Sequence, residues 1–218
     1  MVFLTCSQTK QFDMKKLSIA VAAILVISSF SKLNAQTFSI GPTGGFGHSW
    51  INNSGGDAKF NPMWNAGIAF MYSTKTNFGI GADVKYSSEG NKANVSGADN
   101  VINANYIRVP VKLAYFAGKY GSAVRPKIYV GPSLGFLSSA NETTTVSNVK
   151  VKTDIKDDLK NFDFGVTAGA GLNFRLAPKT WLNTDIAFYQ GLSDMTKNDN
   201  KTLHNGNLGV NVGLLVGL

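Results

Sequence analysis

The final 11 residues, 208–218, constrain the fold more than any other segment of the chain. They read LGVNVGLLVGL, in which every even-numbered position is a large aliphatic residue. Of the five odd-numbered positions, four are glycine or asparagine. An alternation of period two predicts a β-strand with two different faces. A tilted strand of roughly 9–11 residues is long enough to cross a bilayer. The segment therefore predicts a strand whose fully apolar face meets lipid.

Seven upstream segments show the same alternation, which brings the number of predicted strands to eight. They are 38–50, 62–74, 78–88, 106–115, 127–137, 162–174 and 182–192. Short connections follow every second strand, at 75–77, 116–126 and 175–180. Long ones occupy 51–61, 89–105, 138–161 and 193–206. An even strand number with alternating short and long connections is typical of a bacterial barrel whose termini lie in the periplasm. We therefore predict an eight-stranded antiparallel transmembrane β-barrel in the outer membrane, in contact with its lipid.

The predicted long connections and the aromatic residues fit this architecture. The long connections are rich in Asn, Ser, Gly, Thr and Lys, which predicts exposed, mobile loops. Aromatic residues near the strand ends resemble the girdles at the two membrane interfaces of such barrels. They are Trp50, Trp64, Tyr72, Phe78, Tyr86, Tyr106, Tyr115, Phe162, Phe174 and Trp181.

The first 35 residues have the pattern of a secretory signal peptide. Lys15 and Lys16 precede an apolar run at 17–30, and Ala35 lies directly before Gln36. An apolar run of 14 residues is too short to span a membrane as a helix. We predict a signal peptide at 1–35, with Met14 as an alternative start, and a barrel domain at 36–218.

Removal of this leader would change the chemistry available to the chain. The single cysteine, Cys6, lies within the leader, so thiol catalysis, disulfides and cysteine metal sites are excluded from the remainder. The formal net charge of +8 falls by three, because four lysines and one aspartate are lost. The remaining charge is weak evidence for an acidic partner, and export argues against a nucleic-acid partner.

Charged residues occupy the inward face of several predicted strands. They are Asp83, Lys85, Glu89, Arg108, Lys112, Lys127, Asp163 and Asp185. The interior of an eight-stranded barrel is just wide enough to be filled by side chains. Because an isolated ion in such an interior is costly, four acids and four bases predict a salt-bridged polar network that closes the lumen. A gated ion or proton path is the alternative interpretation.

No pattern in the sequence predicts an enzyme, a cofactor or a metal site. His48 and Ser49 are adjacent on one strand, so their side chains point to opposite faces and cannot form a catalytic pair. Asp154, Asp157 and Asp158 are interspersed with lysines, which favours a solvated surface over a calcium site.

Four segments resemble a known family. They are YIRVPVKLAYF (106–116), PKIYVGPSLGFL (126–137), FDFGVTAGAGLNFRL (162–176) and LNTDIAFYQGLSDM (182–195). The chain resembles the PorT-like outer-membrane β-barrels of Bacteroidetes, which are related in fold to the OmpA and OmpX class. Leu218 departs from the aromatic residue that often ends such barrels.

Three functions remain open at this point. The first is a structural or surface-interaction barrel that is monomeric and not an enzyme. The second, implied by the resemblance, is a component of a protein-secretion apparatus with other envelope proteins as partners. The third is a narrow transport channel. The barrel pattern is common to all three, so the sequence does not choose among them.

Overall fold

The computed structural model describes residues 37–74, 76–95, 98–147, 149–198 and 201–218, so the predicted leader lies outside the described residues. The described residues form ten strands and a 3-10 helix at Lys156–Asp158. The strands are β1 (Thr37–Asn52), β2 (Asp57–Lys59), β3 (Pro62–Ser73), β4 (Phe78–Val95), β5 (Ala98–Phe116), β6 (Val124–Val146), β7 (Val149–Asp154), β8 (Phe162–Ala177), β9 (Thr180–Gly191) and β10 (His204–Gly217). Within these residues, no helix has the length and apolar character needed to span a membrane.

Eight long strands close into a ring in the order β1-β3-β4-β5-β6-β8-β9-β10. Every neighbouring pair is antiparallel, and β10 returns to β1 with Val212 opposite Gly44 and Val210 opposite Phe46. Closure leaves no unpaired edge along the wall, which is the condition for a sheet to exist in hydrocarbon. The predicted eight-stranded antiparallel barrel is therefore confirmed, with β2 and β7 as two short additions outside the ring.

The alternation that predicted the strands separates the outer and inner faces of the barrel. In β10, Val212 is 50% exposed, whereas the neighbouring Asn211 is 6% exposed. Outward aliphatic and aromatic residues continue around the ring. Examples are Ile68, Ile80, Val84, Leu113, Ile128, Val130, Val166, Ile186, Leu208 and Val216. The outer surface is thus a belt of apolar side chains, and polar side chains are collected inside.

Two of the predicted long loops are mainly strand. β4 and β5 are joined at 96–97, so most of 89–105 is a paired hairpin. Within 138–161, β6 continues to Val146 and pairs with β7. The prediction of mobile loops was wrong here because these polar segments continue the ladder, which satisfies their backbone groups without a further partner. Side-chain bonds add to the pairing, such as Asn105 Nδ2 to Ser139 Oγ at 2.9 Å.

These extensions form a second structural feature, which we call the distal sheet. It consists of β2, the outer parts of β4, β5 and β6 (90–95, 98–105 and 139–146), and β7, in the order β2-β4-β5-β6-β7. Gly90 lies where the sheet leaves the barrel, at a φ of +143° that L-residues rarely adopt. The distal sheet projects from the end of the barrel opposite the short turns.

An apolar cluster fills the barrel beneath the distal sheet. Its buried members are Ile51, Ala104, Tyr106, Leu137, Ala140, Leu159 and Met195. Tyr106 was predicted for an interfacial girdle, but that prediction was wrong because its side chain is inside the barrel and fully buried. Leu159 and Met195 come from connections, and a bridge between Leu159 and Thr196 holds these connections together. We call this cluster the distal cap.

Asp194 fixes the connection that carries Met195. Its carboxylate accepts the backbone N–H of Leu203 at 2.9 Å and that of Thr196 at 3.2 Å, and it pairs with Lys160 Nζ at 3.0 Å. Desolvation acts to raise the pKa of Asp194, but these donors outweigh it and hold the pKa below its usual value. The Asp194 carboxylate therefore holds this part of the predicted loop 193–206 in place.

Candidate functional site

The interior of the barrel contains two ion clusters. The first, which we call the upper cluster, joins Arg108 on β5 to Glu89 on β4 and Asp163 on β8. Arg108 Nε and Nη2 donate to the two Glu89 oxygens at 2.7 and 2.6 Å. Nη2 also donates to Asp163 Oδ2 at 2.9 Å. A bidentate guanidinium–carboxylate pair is the strongest ordinary side-chain contact, and all three residues are buried.

Aromatic and amide side chains complete the upper cluster. The Tyr189 ring centroid lies 4.0 Å from Arg108 Cζ, and the Tyr106 centroid lies at 4.8 Å. Tyr189 also donates its hydroxyl to Asp163 Oδ2 at 2.8 Å. Asn205 donates its side-chain amide to Glu89 Oε2. The guanidinium is thus held at its edge by two acids and on its faces by two rings, which offsets the cost of its desolvation.

The second cluster, the lower cluster, contains the other five predicted charges. Lys112 Nζ lies 2.5 Å from Asp83 Oδ2, and Lys85 Nζ lies 3.6 Å from the same oxygen. On the opposite wall, Lys127 Nζ lies 3.2 Å from Asp185 Oδ2. The structure therefore brings the eight sequence-predicted residues into the interior, in two groups that each contain two acids.

Uncharged residues that the sequence analysis did not single out satisfy the lower cluster. Tyr129 donates to Asp185 Oδ1 at 3.0 Å, and Asn211 donates to the same oxygen at 3.1 Å. Lys127 also donates to Asn183 Oδ1 at 3.2 Å. Tyr129, Asn183 and Asn211 have the inward parity of their strands, and this parity was the one feature of the sequence that could have indicated them. Their neutral chemistry gave no reason to select them.

Little free space remains around the two clusters. A cavity of about 30 Å³ lies between Arg108 and Asn65, and another of about 20 Å³ lies beside Asp83. Each has room for about one or two water molecules, since one water needs roughly 10–15 Å³ of such space. The distal cap covers the clusters at one end. Side chains therefore occupy the interior across its width.

The short-turn end of the barrel contains a buried arginine that the sequence analysis missed. Arg125 on β6 has the same parity as Lys127, but the strand was predicted to begin only at Lys127. Trp181 on β9, which was predicted for a girdle, instead lines a cavity beside Arg125. That prediction was wrong because Trp181 shares the inward parity of Asn183 and Asp185.

The remaining candidate residues do not assemble into a catalytic or metal site. His48 Nδ1 accepts the backbone N–H of Asn61 at 3.1 Å, and its ring stacks on Phe60. Ser49 is buried and accepts the Asn61 side-chain amide at 2.9 Å. Among the described residues, no group of three His, Cys, Asp or Glu side chains is arranged to hold a metal ion.

The comparisons with known proteins agree with this geometry. A family model described as "Outer membrane protein beta-barrel domain" matches residues 34–197, which is most of the chain. The chain belongs to this family. It is accordingly an outer-membrane protein, and the apolar belt of the barrel is its lipid-facing surface. No curated protein matches the chain.

Two solved structures share the fold. A major outer membrane protein from Thermus thermophilus aligns with a TM-score of 0.53 at 11% identity, over 85% of this chain and 100% of that one. The outer membrane protein OprG from Pseudomonas aeruginosa aligns with a TM-score of 0.52 at 9% identity, over 84% and 96%. The TM-scores show a common fold, and at these low identities the function of this family member has to be argued from its own residues.

Proposed function

We propose that this outer-membrane barrel is a surface-interaction protein that holds the distal sheet outside the cell and binds other proteins through the free edge of β7. With the short turns in the periplasm, as the sequence predicts, the distal sheet lies on the extracellular side. The observation that carries the proposal is the edge itself. Among the described residues, β7 pairs with β6 on one side only, and all six of its residues are exposed.

The filled interior supports a role at the surface rather than a role in transport. The lower cluster, the upper cluster and the distal cap succeed one another along the barrel. A conducting path would have to displace the buried bidentate pair of Arg108 with Glu89 and the lysine–aspartate pairs of the lower cluster. We expect the protein in planar bilayers to show no steady single-channel conductance in molar KCl. Stable, reproducible conductance steps would favour the channel alternative.

The edge of β7 has the features of a template for strand addition. An exposed edge presents unpaired N–H and C=O groups to which another extended chain can bind. Val149 and Val151 lie on one face of β7, and Lys150 and Lys152 lie on the other. Edge lysines oppose uncontrolled pairing between copies of the protein. They also favour a partner strand that alternates acidic and apolar residues.

A model peptide tests this edge directly. The probe is fluorescein-labelled Ac-VEVEVEV-NH2, and the measurement is fluorescence polarisation with the full protein in detergent micelles. We expect saturable binding that Lys152→Glu weakens at least tenfold, because a lysine opposite the acidic peptide becomes a like charge. Val151→Pro should abolish binding, since proline removes a backbone donor and disrupts the strand.

A matched control lies in the same cross-strand row. Lys92 lies opposite Val101, Val101 lies opposite Thr143, and Thr143 lies opposite Lys152. Lys92 belongs to β4, which is an internal strand of the distal sheet. Lys92→Glu should therefore change the affinity less than twofold. Equal losses for Lys92→Glu and Lys152→Glu would indicate general charge attraction and contradict the edge proposal. Equal binding of Ac-VKVKVKV-NH2 would contradict the proposed partner chemistry.

The PorT-like resemblance supports a second proposal, a component of a protein-secretion apparatus. The four resembling segments lie mainly in wall strands and do not include the distal sheet, so the resemblance concerns the barrel and gives the distal sheet no separate role. Native mass spectrometry of protein extracted in mild detergent separates the proposals. A stable complex with other envelope proteins would support the secretion role. A monomer would support an independent surface protein.

We also infer that the protein has no catalytic activity. His48 and Ser49 bond to Asn61 from opposite faces of β1. The buried acids are paired with bases within the two clusters, and this arrangement leaves no carboxylate free for acid–base chemistry there.

A further inference from the structure

A cavity at the short-turn end of the barrel differs in chemistry from the two ion clusters. It has a volume of about 30 Å³. The lining residues on which the inference rests are Ser39, Phe116, Tyr120, Arg125, Asn173 and Trp181. They come from β1, β5, β6, β8, β9 and the turn between β5 and β6. The described residues that line the cavity supply a cation, hydroxyl groups and amide groups, and none of them is acidic.

Arg125 is the exceptional residue in this cavity. It is only 4% exposed, and its Nε and Nη2 atoms are buried without a hydrogen-bond partner. No carboxylate of the described residues forms an ion pair with it, whereas Arg108 binds two. A buried charge is normally paired because its desolvation is costly. Arg125 therefore has donors available for an acceptor that the described chain does not supply.

Aromatic contacts fix the guanidinium without satisfying these donors. Arg125 Cζ lies 4.8 Å from the Phe116 ring centroid and 5.7 Å from that of Tyr120. Cation–π contacts act on the face of a guanidinium. Its N–H groups lie in the guanidinium plane and need acceptors in that plane. The two rings thus orient the donor fork while its edge stays open to the cavity.

Neighbouring polar groups can supply further donors to the same point. Ser39 is buried and provides a hydroxyl. The Asn173 Oδ1 atom is buried and has no hydrogen-bond partner. Rotation of this amide by 180° exchanges its oxygen for the Nδ2 donor at the same position. A guanidinium, a hydroxyl and an amide are together suited to an anion.

We propose that the Arg125 cavity binds a carboxylate group, held by the guanidinium fork between Phe116 and Tyr120. The size of the cavity favours this class of anion. About 30 Å³ accommodates two water-sized atoms, which matches the two oxygens of a carboxylate. Two parallel oxygens also fit a planar N–H fork bidentately. The carboxylate comes either from a small free acid or from the C-terminus of a periplasmic peptide.

Trp181 provides the signal for a binding experiment. The chain has three tryptophans, so Trp50→Phe with Trp64→Phe leaves Trp181 as the reporter. The full protein in detergent micelles is titrated with sodium formate at constant ionic strength, with sodium chloride as the balancing salt. We expect a saturable change in Trp181 fluorescence. In the same background, Arg125→Gln should weaken formate binding at least tenfold.

Arg175 provides the matched control at the same end of the barrel. It is exposed, donates to the Gly121 carbonyl at 3.0 Å, and lies 6.0 Å from the Trp181 ring centroid. Arg175→Gln should change the affinity for formate less than twofold. If the two glutamine variants lose affinity equally, or if the parent gives no saturable response, the carboxylate site is overturned. Phosphate binding as tight as formate binding would also overturn it.

Thermal unfolding separates binding from a structural role. Formate should raise the melting temperature of the parent and leave that of Arg125→Gln unchanged. Without formate, Arg125→Gln should melt no lower than the parent, because an unpaired buried cation has been removed. A lower melting temperature would show that Arg125 serves the fold and would contradict the proposal.

Two peptides then identify the source of the carboxylate. Trialanine with a free C-terminus is compared with trialanine amide and with acetate. If the free-acid peptide binds at least tenfold tighter than acetate and the amide does not bind, the natural ligand is a peptide terminus. If acetate binds at least as tightly as the peptide, the ligand is a small free acid.

Discussion

Replacing Arg108 with methionine should destabilise the barrel by about 3–5 kcal/mol, the usual cost of removing one partner from a buried ion pair. Methionine retains an unbranched apolar stem, but Glu89 and Asp163 then lose their only guanidinium while they remain buried. Urea titration in detergent micelles, followed by tryptophan fluorescence, measures the free energy of unfolding.

Two variants test the physical reason for this loss. Lys59→Ala removes an equally short but exposed ion pair with Asp99, 2.6 Å apart, and should cost less than about 1 kcal/mol. In an Arg108→Met variant that also contains Glu89→Gln and Asp163→Asn, most of the lost stability should return, because no charge is left unpaired. If Arg108→Met alone costs no more than Lys59→Ala, the upper cluster does not stabilise the barrel.

The second large effect concerns the lipid-facing wall. Val111→Arg should cost about 2–4 kcal/mol, the range for a charge near the bilayer midplane of a barrel. Val111 lies opposite Ala82 and midway between two cross-strand pairs with aromatic members, Tyr115 with Phe78 and Ile107 with Tyr86. The measurement is urea titration in lipid vesicles, because the penalty arises from the bilayer.

Val95 provides a control of the same residue type and similar exposure. Val95 is 44% exposed and Val111 is 37% exposed, but Val95 lies at the tip of the distal sheet. Val95→Arg should change the free energy of unfolding by less than about 0.5 kcal/mol, as for ordinary surface positions. Equal losses at the two positions would show that Val111 does not face hydrocarbon.

The wall of the barrel could be predicted from the sequence because a strand has a period of two. In β10 the alternation of Leu208, Val210 and Val212 with Gly209 and Asn211 specifies both faces from adjacent residues alone. The same parity gives the face of each charged residue in the two clusters. No knowledge of the neighbouring strands is needed for this step.

The partners of the charged residues could not be predicted in the same way. Arg108 contacts Glu89, 19 positions away, and Asp163, 55 positions away. These contacts depend on the register and tilt of several strands, which the alternation leaves undetermined. Arg125 was missed for a local reason, because the beginning of its strand was predicted at Lys127, three residues after Val124, where β6 begins.

The prediction of loops at the polar connections was wrong for a different reason. Asn, Ser and Thr are common in turns, so composition favoured loops at 89–105 and 138–161. Once two strands emerge from the barrel side by side, each further residue can extend the existing ladder. This cooperative gain depends on the neighbouring strand and outweighs a weak local preference.

Closure of the ring between β1 and β10 has a consequence for the order of folding. Thr43 donates to the Val212 carbonyl, 169 positions away along the chain, and Gly44 to Asn52 pair with a continuous stretch of β10. Contacts of such long sequence separation form slowly because the loop must close before they add stability. The other seven strand pairs of the ring join strands that are much nearer to each other in sequence. An intermediate in which β1 and β10 have not yet paired is an open sheet with two unsatisfied edges, so we expect closure of the ring to accompany insertion into the membrane.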